Sequence, residues 1–270
     1  MSSAVCVVPT YRPDDAASAL VKDLSTAAPV LVTDDGSPCT FDHRLSAIAV
    51  LPGVKVVRHR TNRGIGRGLN EGLAFALGSH AEWLLSVDQD SCLPHGYLDQ
   101  LIGVAEDLMA KGVRVGVIGA LHVADASGDF TYPTRVSPNS MKPYPETEEL
   151  IASGSLWNVS ALTDIGGFET GLGMDAVDAA ACLSLREVGY RVFAVPDVTF
   201  EHRIGDGQRS RILGRNVLRT GHSRRRRHQI LANRLRLFPR EWQQSPRHAI
   251  RTVRRAGVNA ILGGSTNSTE

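Results

Sequence analysis

Residues 84–91 read LLSVDQDS, and the rest of the chain is arranged around them. Leu84, Leu85 and Val87 belong to an apolar run, 83–87, with the length and composition of a strand buried on both faces. The run stops abruptly at Asp88, Gln89 and Asp90. Side chains alternate along a strand, so residues two apart point the same way. If strand geometry persists into the turn, both carboxylates converge at the strand's carboxyl end. Open α/β sheets bind their ligands along that edge. Two carboxylates one residue apart suit a hard divalent cation, which can in turn hold a diphosphate. An acidic turn after a core strand has the same composition, so the pair gains weight only from its surroundings.

Those surroundings repeat the pattern. Residues 4–8 form a β-branched run that ends in Pro9, Thr10 and Tyr11. Asp14 and Asp15 then open a helix with Ala16, Leu20 and Leu24 on one face. Residues 29–33 are a second strand, ending in the turn Asp34-Asp35-Gly36-Ser37. Residues 54–58 are a third. Asn62-Arg63-Gly64-Ile65-Gly66-Arg67-Gly68 follows and leads into a helix with Ile65, Leu69, Leu73 and Leu77 on one face. Glycines at such a junction expose backbone N–H groups to an anion. Their spacing is not G-x-G-x-x-G, so a dinucleotide site is not indicated. After the acid pair come a helix over residues 97–111 and a strand over 113–118. The repeated β-α alternation predicts a parallel, doubly wound sheet with its polar strand ends along one edge.

The alternation then breaks. Residues 120–149 are polar and proline-rich, an excursion suited to specificity. Order resumes at 151–157. Glycine-rich turns at 165–168 and 171–173 flank Glu169. Asp175 and Asp178 open a helix that ends near Gly189, where acidic groups also complement the helix dipole. Strands at 191–195 and 198–200 precede Glu201 and His202.

Composition bounds the answer. The chain has 270 residues, 42% hydrophobic and 21% charged, which suits one α/β domain with or without an appendage. No run approaches the roughly 18–20 apolar residues of a membrane span. The opening MSSAVCVVPTY has no basic region and a short apolar run, so no signal peptide is expected. Cys6, Cys39, Cys92 and Cys182 are widely spaced, which fits reduced thiols in a cytoplasm better than a disulfide framework or zinc site. Residues 203–270 hold 16 arginines, no lysine and three acids, a net charge of +13 against −11 for residues 1–202. Such a tail suits an anionic membrane surface, a lipid diphosphate or nucleic acid. The tail carries no recognised nucleic-acid-binding motif, so no nucleic acid is expected as partner.

Together these residues resemble the family 2 glycosyltransferases of GT-A fold, and most of all their rhamnosyltransferase-like branch. The matching stretches are VVPTYRPD (7–14), VTDDGS (32–37), NRGIGRGLNEGL (62–73), LLSVDQDS (84–91), the run 152–192 and EHRIGDG (201–207). The resemblance implies an α/β fold with a Rossmann-like, mostly parallel central sheet flanked by helices. A glycosyltransferase domain would occupy 1–207, and a basic, mostly helical extension 208–270. It implies an inverting transfer of a sugar from a nucleotide-diphosphate donor, dTDP- or UDP-linked, to a glycan or lipid-linked acceptor. Pro9, Tyr11, Asp35, Asn62, Gly64 and Arg67 match donor-nucleotide positions. Asp88 and Asp90 match the acid pair that holds the metal and the ribose–diphosphate, and His202 a histidine that completes the metal site. The cation would be Mn²⁺ or Mg²⁺. Asp178 matches the catalytic base, with Asp175 as the other candidate. Gly154, Ser155 and Gly167, with Asp175, match the acceptor side.

The chain also departs from that pattern. The family helix reads V-D-x-E-x-C-L-R, and here Ala180 and Ser184 replace the Glu and the Arg. These changes are what a degenerate, non-catalytic sugar-binding or partner-binding module would show; retention of Asp35, Asp88, Asp90, Asp178 and His202 opposes that reading. A sugar nucleotidyltransferase would carry a glycine-rich basic loop after strand one, where Pro9-Thr10-Tyr11-Arg12-Pro13 stands instead. The expected location is cytoplasmic, at the inner face of the cell membrane, with the arginine-rich tail against anionic lipid.

Overall fold

The computed structural model describes residues 3–124, 143–202, 208–212, 215–219 and 223–262, with backbone only for 208–212, 215–219 and Leu262. Most of the excursion at 120–149, the stretch 203–207 and the junction between the two expected domains lie outside the described residues. By its internal contacts the chain divides into two units, Met1–His202 and Arg203–Glu270.

The first unit is built on an eight-stranded sheet. Its strands are β1 (Ala4–Thr10), β2 (Val30–Asp34), β3 (Val54–Arg58), β4 (Trp83–Ser86), β5 (Ser91–Cys92), β6 (Val115–Ala124), β7 (Ser155–Asn158) and β8 (Arg191–His202). Their spatial order is β3-β2-β1-β4-β7-β6-β8-β5. β1 to β4 pair in parallel, and β6 pairs in parallel with β8. The sheet is therefore mostly parallel, as expected, with two exceptions. β7 runs antiparallel between β4 and β6, and β5 pairs antiparallel with β8 at the edge. The two strands expected at 191–195 and 198–200 are one strand, β8. Pro196 falls inside it, where its pairing with β6 shifts register between Ala120 and His122. The chain runs outward from β1 to β3, then returns to β1's other side at β4. The order reverses between β1 and β4, the switch point at which such sheets open a ligand crevice.

Six helices flank this sheet: α1 (Asp15–Ala27), α2 (Asp42–Ala49), α3 (Ile65–Gly78), α4 (Tyr97–Ala110), α5 (Val159–Asp164) and α6 (Val177–Glu187). Asp14 caps α1 by accepting from the Ala17 N–H at 2.9 Å, and Ala17, Leu20, Val21 and Leu24 turn inward. Asn158 caps α5 in the same way. The short helix α2 has no expectation behind it, since only Leu45 and Ile48 of its residues are buried. α3 lies close to the sheet because its inner face is made of glycine. A Cβ on Gly72 would meet Val7 Cβ at 2.6 Å, and one on Gly68 would meet Thr33 Oγ1 at 2.4 Å. The glycines of this stretch thus serve close helix–strand packing as well as the loop before it.

The core holds Trp83, Leu85, Leu101, Leu108, Ile118, Leu156 and Phe193, all buried. Trp157 is fully buried, packs edge-to-face on Phe168 at 5.0 Å and donates from Nε1 to Ser86 Oγ at 2.8 Å. Trp157→Ala is expected to cost about 3–5 kcal/mol, read as a lower urea midpoint, through the cavity it leaves. None of the four cysteines is in a disulfide; burial pushes the thiols of Cys6 and Cys182 up to about 12.

In the second unit, β9 (Gln208–Ile212) and β10 (Arg215–Arg219) form an antiparallel hairpin, which the expectation of a mostly helical tail did not contain. α7 (Arg224–Gln244) and α8 (Pro246–Leu262) pack on each other as a helical hairpin. No described helix is long and apolar enough to cross a membrane.

Candidate active site

Asp88 and Asp90 follow β4 at the carboxyl edge of the sheet, beside the switch point. Opposite them is His202, the last residue of β8, which the β5–β8 pairing brings directly against Ser91. The ligand atoms of Asp88, Asp90 and His202 lie within 4.8 Å of one another. His202 Nδ1 is 2.8 Å from Ser91 Oγ, and its Nε2 is 3.9 Å from Asp88 Oδ2. The tautomer that donates Nδ1–H to Ser91 leaves the Nε2 lone pair toward Asp88, while Asp90 Oδ1 lies 3.5 Å from Nδ1. Two carboxylates and one imidazole are a donor set that fits Mn²⁺ or Mg²⁺. The side chains are part-exposed, 33% for Asp88 and 42% for Asp90, which leaves room for oxygen ligands from outside the protein.

One turn, residues 152–155, connects this cluster to Asp178. Ser153 Oγ accepts the Asp88 N–H at 2.9 Å and lies 2.7 Å from Ser91 Oγ. One residue earlier, the Ala152 N–H donates to Asp178 Oδ2 at 3.3 Å, while Asp178 Oδ1 accepts from the Ala179 N–H at 2.8 Å. Ala176, at φ 67°, turns the chain into α6 and sets Asp178 in its first turn. Gly154 and Ser155, matched above to the acceptor side, are buried: Ser155 Oγ donates to Ile151 O at 2.6 Å, and the Tyr97 hydroxyl donates to Gly154 O at 2.6 Å. Burial holds the Tyr97 phenol well above its ordinary pKa, so it stays a donor. These two residues brace the turn rather than line a surface.

The other matched positions gather across the switch point. Gln89 pairs its side-chain amide with the backbone of Tyr11, accepting from its N–H and donating to its C=O, both at 3.0 Å. The middle residue of the acid pair therefore ties the end of β4 to the end of β1. The two aspartates after β2 divide their work. Asp34 is fully buried, accepts from Ser37 and from Arg58 Nε at 3.2 Å, and braces its own turn. Asp35 accepts from the Arg63 N–H and the Gly64 N–H, each at 2.9 Å, and so holds the 62–64 loop beside it. His59, its side chain 7% exposed, stands between Glu71 Oε1 at 2.7 Å and Asp35 Oδ1 at 3.5 Å. Arg67 reaches the same Glu71 oxygen at 3.5 Å. Gly64 has φ 93°, and a Cβ there would meet Gly173 O at 2.4 Å. Gly64→Ala is expected to destabilise the unit by about 1–3 kcal/mol in denaturant titration and to weaken nucleotide binding, because the loop must leave the 170–173 turn.

At the turn before Glu169, Asn70 of α3 accepts the Phe168 N–H and donates to Phe168 O, both at 2.8 Å. Gly167 lacks a Cβ where one would meet Asn70 Oδ1 at 2.4 Å. Beside this turn is a cavity of about 260 Å³, lined in part by Gly167, Glu169, Ala180 and Ser184. The two positions at which the helix departs from the family pattern thus line one cavity. Gln89, Ser91, Ser153, His59 and Asn70 escaped sequence reading. Each acts through a partner distant in sequence, and only Gln89 had a positional cue, between the two acids.

Residues 6–151 match the glycosyl transferase family 2 profile, more than half of the chain. The chain belongs to glycosyl transferase family 2. It is 25% identical over 228 residues to the dTDP-rhamnosyl transferase RfbF of Shigella flexneri, covering 80% of this chain and 74% of that protein. Among solved structures, residues 1–349 of S. aureus TarS superpose with a TM-score of 0.58 at 17% identity, over 98% of this chain and 73% of that one. The chain spans 37% of the longer TarS structure. The mannosyltransferase PcManGT of Pyrobaculum calidifontis, solved with GDP-Man and Mn²⁺, gives 0.57 at 18% identity, over 97% and 76%. The fold is that of the GT-A glycosyltransferases.

Proposed function

We propose that this glycosyltransferase moves a sugar, L-rhamnose being the first candidate, from a dTDP- or UDP-linked donor to a glycan or lipid-linked acceptor, with inversion. One observation carries the reading. The cluster of Asp88, Asp90 and His202 stands at the switch point, and a single turn links it to Asp178. Support for the sugar comes from the relative named a dTDP-rhamnosyl transferase. Support for a nucleotide-sugar donor and a cation comes from neighbours solved with UDP-GlcNAc, or with GDP-Man and Mn²⁺.

Pro9 and Tyr11, with Asp35 and the Asn62–Gly64–Arg67 stretch, form the nucleotide pocket. Asp35 acts there chiefly by setting the loop. Asp88, Asp90 and His202 would hold a divalent cation, which when bound would supply Lewis-acid neutralisation of the leaving diphosphate. The acceptor hydroxyl oxygen bonds to the anomeric carbon as that carbon's bond to the diphosphate oxygen breaks. The hydroxyl proton passes to Asp178, and the nucleoside diphosphate leaves with the bonding electron pair. Gly167 and Asp175 border the acceptor side, and the cavity beside Ala180 and Ser184 receives part of the acceptor. The work takes place at the cytoplasmic face of a cell membrane, where a lipid-linked acceptor is found.

Thermal shift and donor hydrolysis across dTDP-, UDP- and GDP-sugars, with Mn²⁺, Mg²⁺ or EDTA, test the reading. Cation-dependent stabilisation by dTDP-rhamnose above the others is expected. A flat response to every nucleotide would overturn it.

A further inference from the structure

The α7–α8 hairpin offers a surface of unusual composition. Residues 223–262 hold 11 arginines and a single acid, Glu241. That acid does not face solvent. It is 2% exposed, accepts from Thr252 Oγ1 at 3.0 Å and lies 3.4 Å from Arg234 Nη1. The outward side of the hairpin therefore carries no carboxylate among the described residues.

Large apolar side chains are set among those cations. Leu235 and Trp242, one heptad apart on α7, are 52% and 45% exposed. On α8, Ile250 is 52% and Ile261 82% exposed, and Arg247, Ile250 and Arg254 follow one another at helical spacing along the same stripe. Exposed bulky residues interleaved with arginine, on helices too polar to span a bilayer, are the pattern of a helix lying in a lipid interface.

We infer that the outward face of the α7–α8 hairpin binds anionic phospholipid, with arginines on the headgroup phosphates and Leu235, Trp242 and Ile250 inserted below them. Guanidinium forks pair with phosphate more specifically than ammonium does, which accords with a tail that has no lysine. Nucleic acid would use the same charge, but aliphatic side chains exposed between the cations contribute nothing to a sugar–phosphate backbone. The membrane surface gives the lipid-linked acceptor of the proposed function its place. The inference rests on that reading for its purpose alone, since the lipid chemistry stands without it.

The test is co-sedimentation of the full chain with vesicles of phosphatidylcholine alone, or mixed with phosphatidylglycerol, at low and high salt. Binding is expected with the anionic vesicles only, and less of it at high salt. Arg247→Glu with Arg254→Glu is expected to weaken that binding about a hundredfold, and Trp242→Ser about tenfold. Both variants should keep the wild-type thermal shift with nucleotide and Mn²⁺, which shows the fold and donor site intact. No binding to anionic vesicles at low salt would overturn the inference, and so would binding unchanged in both variants. Retention of a single-stranded oligonucleotide without any vesicle binding would overturn it in favour of nucleic acid. In each of these cases the nucleotide response still reports separately on the glycosyltransferase reading.

Discussion

Asp178→Asn is expected to reduce transfer by about 10²–10⁴-fold, the usual contribution of a positioned base, while donor-nucleotide binding stays at the wild-type level. On the proposed mechanism the substitution removes the group that takes the acceptor's proton. Asp178 sits in the first turn of α6 and accepts one N–H from Ala152 and one from Ala179. An amide has one oxygen to offer these two donors, so a loss of about 1 kcal/mol accompanies the change. That leaves a folded protein at room temperature, and circular dichroism checks it. Asp175→Asn is the control: it should keep most of the transfer rate. If Asp175→Asn were the silent variant and Asp178→Asn retained activity, the roles would have to be exchanged.

The second large effect is expected from Asp88→Asn combined with Asp90→Asn. The paired substitution strips two of the three ligating groups from the cluster and leaves His202 alone. Nucleotide with Mn²⁺ at about a hundred times its dissociation constant would stabilise the wild-type protein by about 2.7 kcal/mol. In a unit of this size that is roughly 5–10 °C of melting temperature. The double variant should lose this increment, and EDTA should remove the same increment from the wild type. Without ligand the variant should melt no lower than the wild type, because the part-exposed acids repel one another when no cation lies between them. A cation-dependent shift that survived both substitutions would place the cation elsewhere. Transfer should fall with the binding, since the leaving diphosphate loses its counter-charge.

Much of this was legible in the chain. Strands β1, β2 and β4 announce themselves as short apolar runs that end in polar turns, because a strand buried on both faces needs an unbroken apolar sequence. The acid pair is visible for the same reason: two carboxylates directly after such a run can only emerge at its carboxyl end. What the alternation missed was β7. Residues 155–158 read SLWN, and nothing in four residues reveals the direction in which they pair. The hairpin of β9 and β10 was hidden by arginine, which masks any alternation of apolar residues.

Sequence by itself determined the class of fold and the family, and it pointed to the residues proposed to carry chemistry: Asp88, Asp90, His202, Asp178 and the loop around Gly64. The acid pair and the loop follow from local order, since a strand end or a helix start is written in neighbouring residues, while Asp178 and His202 follow from the family resemblance. Only the tertiary structure decided how those residues are held. It made Asp34 a buried brace and Asp35 the anchor of the 62–64 loop, although the two are adjacent and chemically identical. It set Gln89 on the Tyr11 backbone across 78 residues, and Ser153 between Asp88 and His202's partner Ser91. It buried Gly154 and Ser155, whose hydrogen bonds to Tyr97 and Ile151 support a turn. The physical reason is the same throughout. A hydrogen bond between residues far apart in the chain depends on which strands become neighbours, and an antiparallel insertion such as β7 leaves no periodic trace from which that neighbourhood could be read.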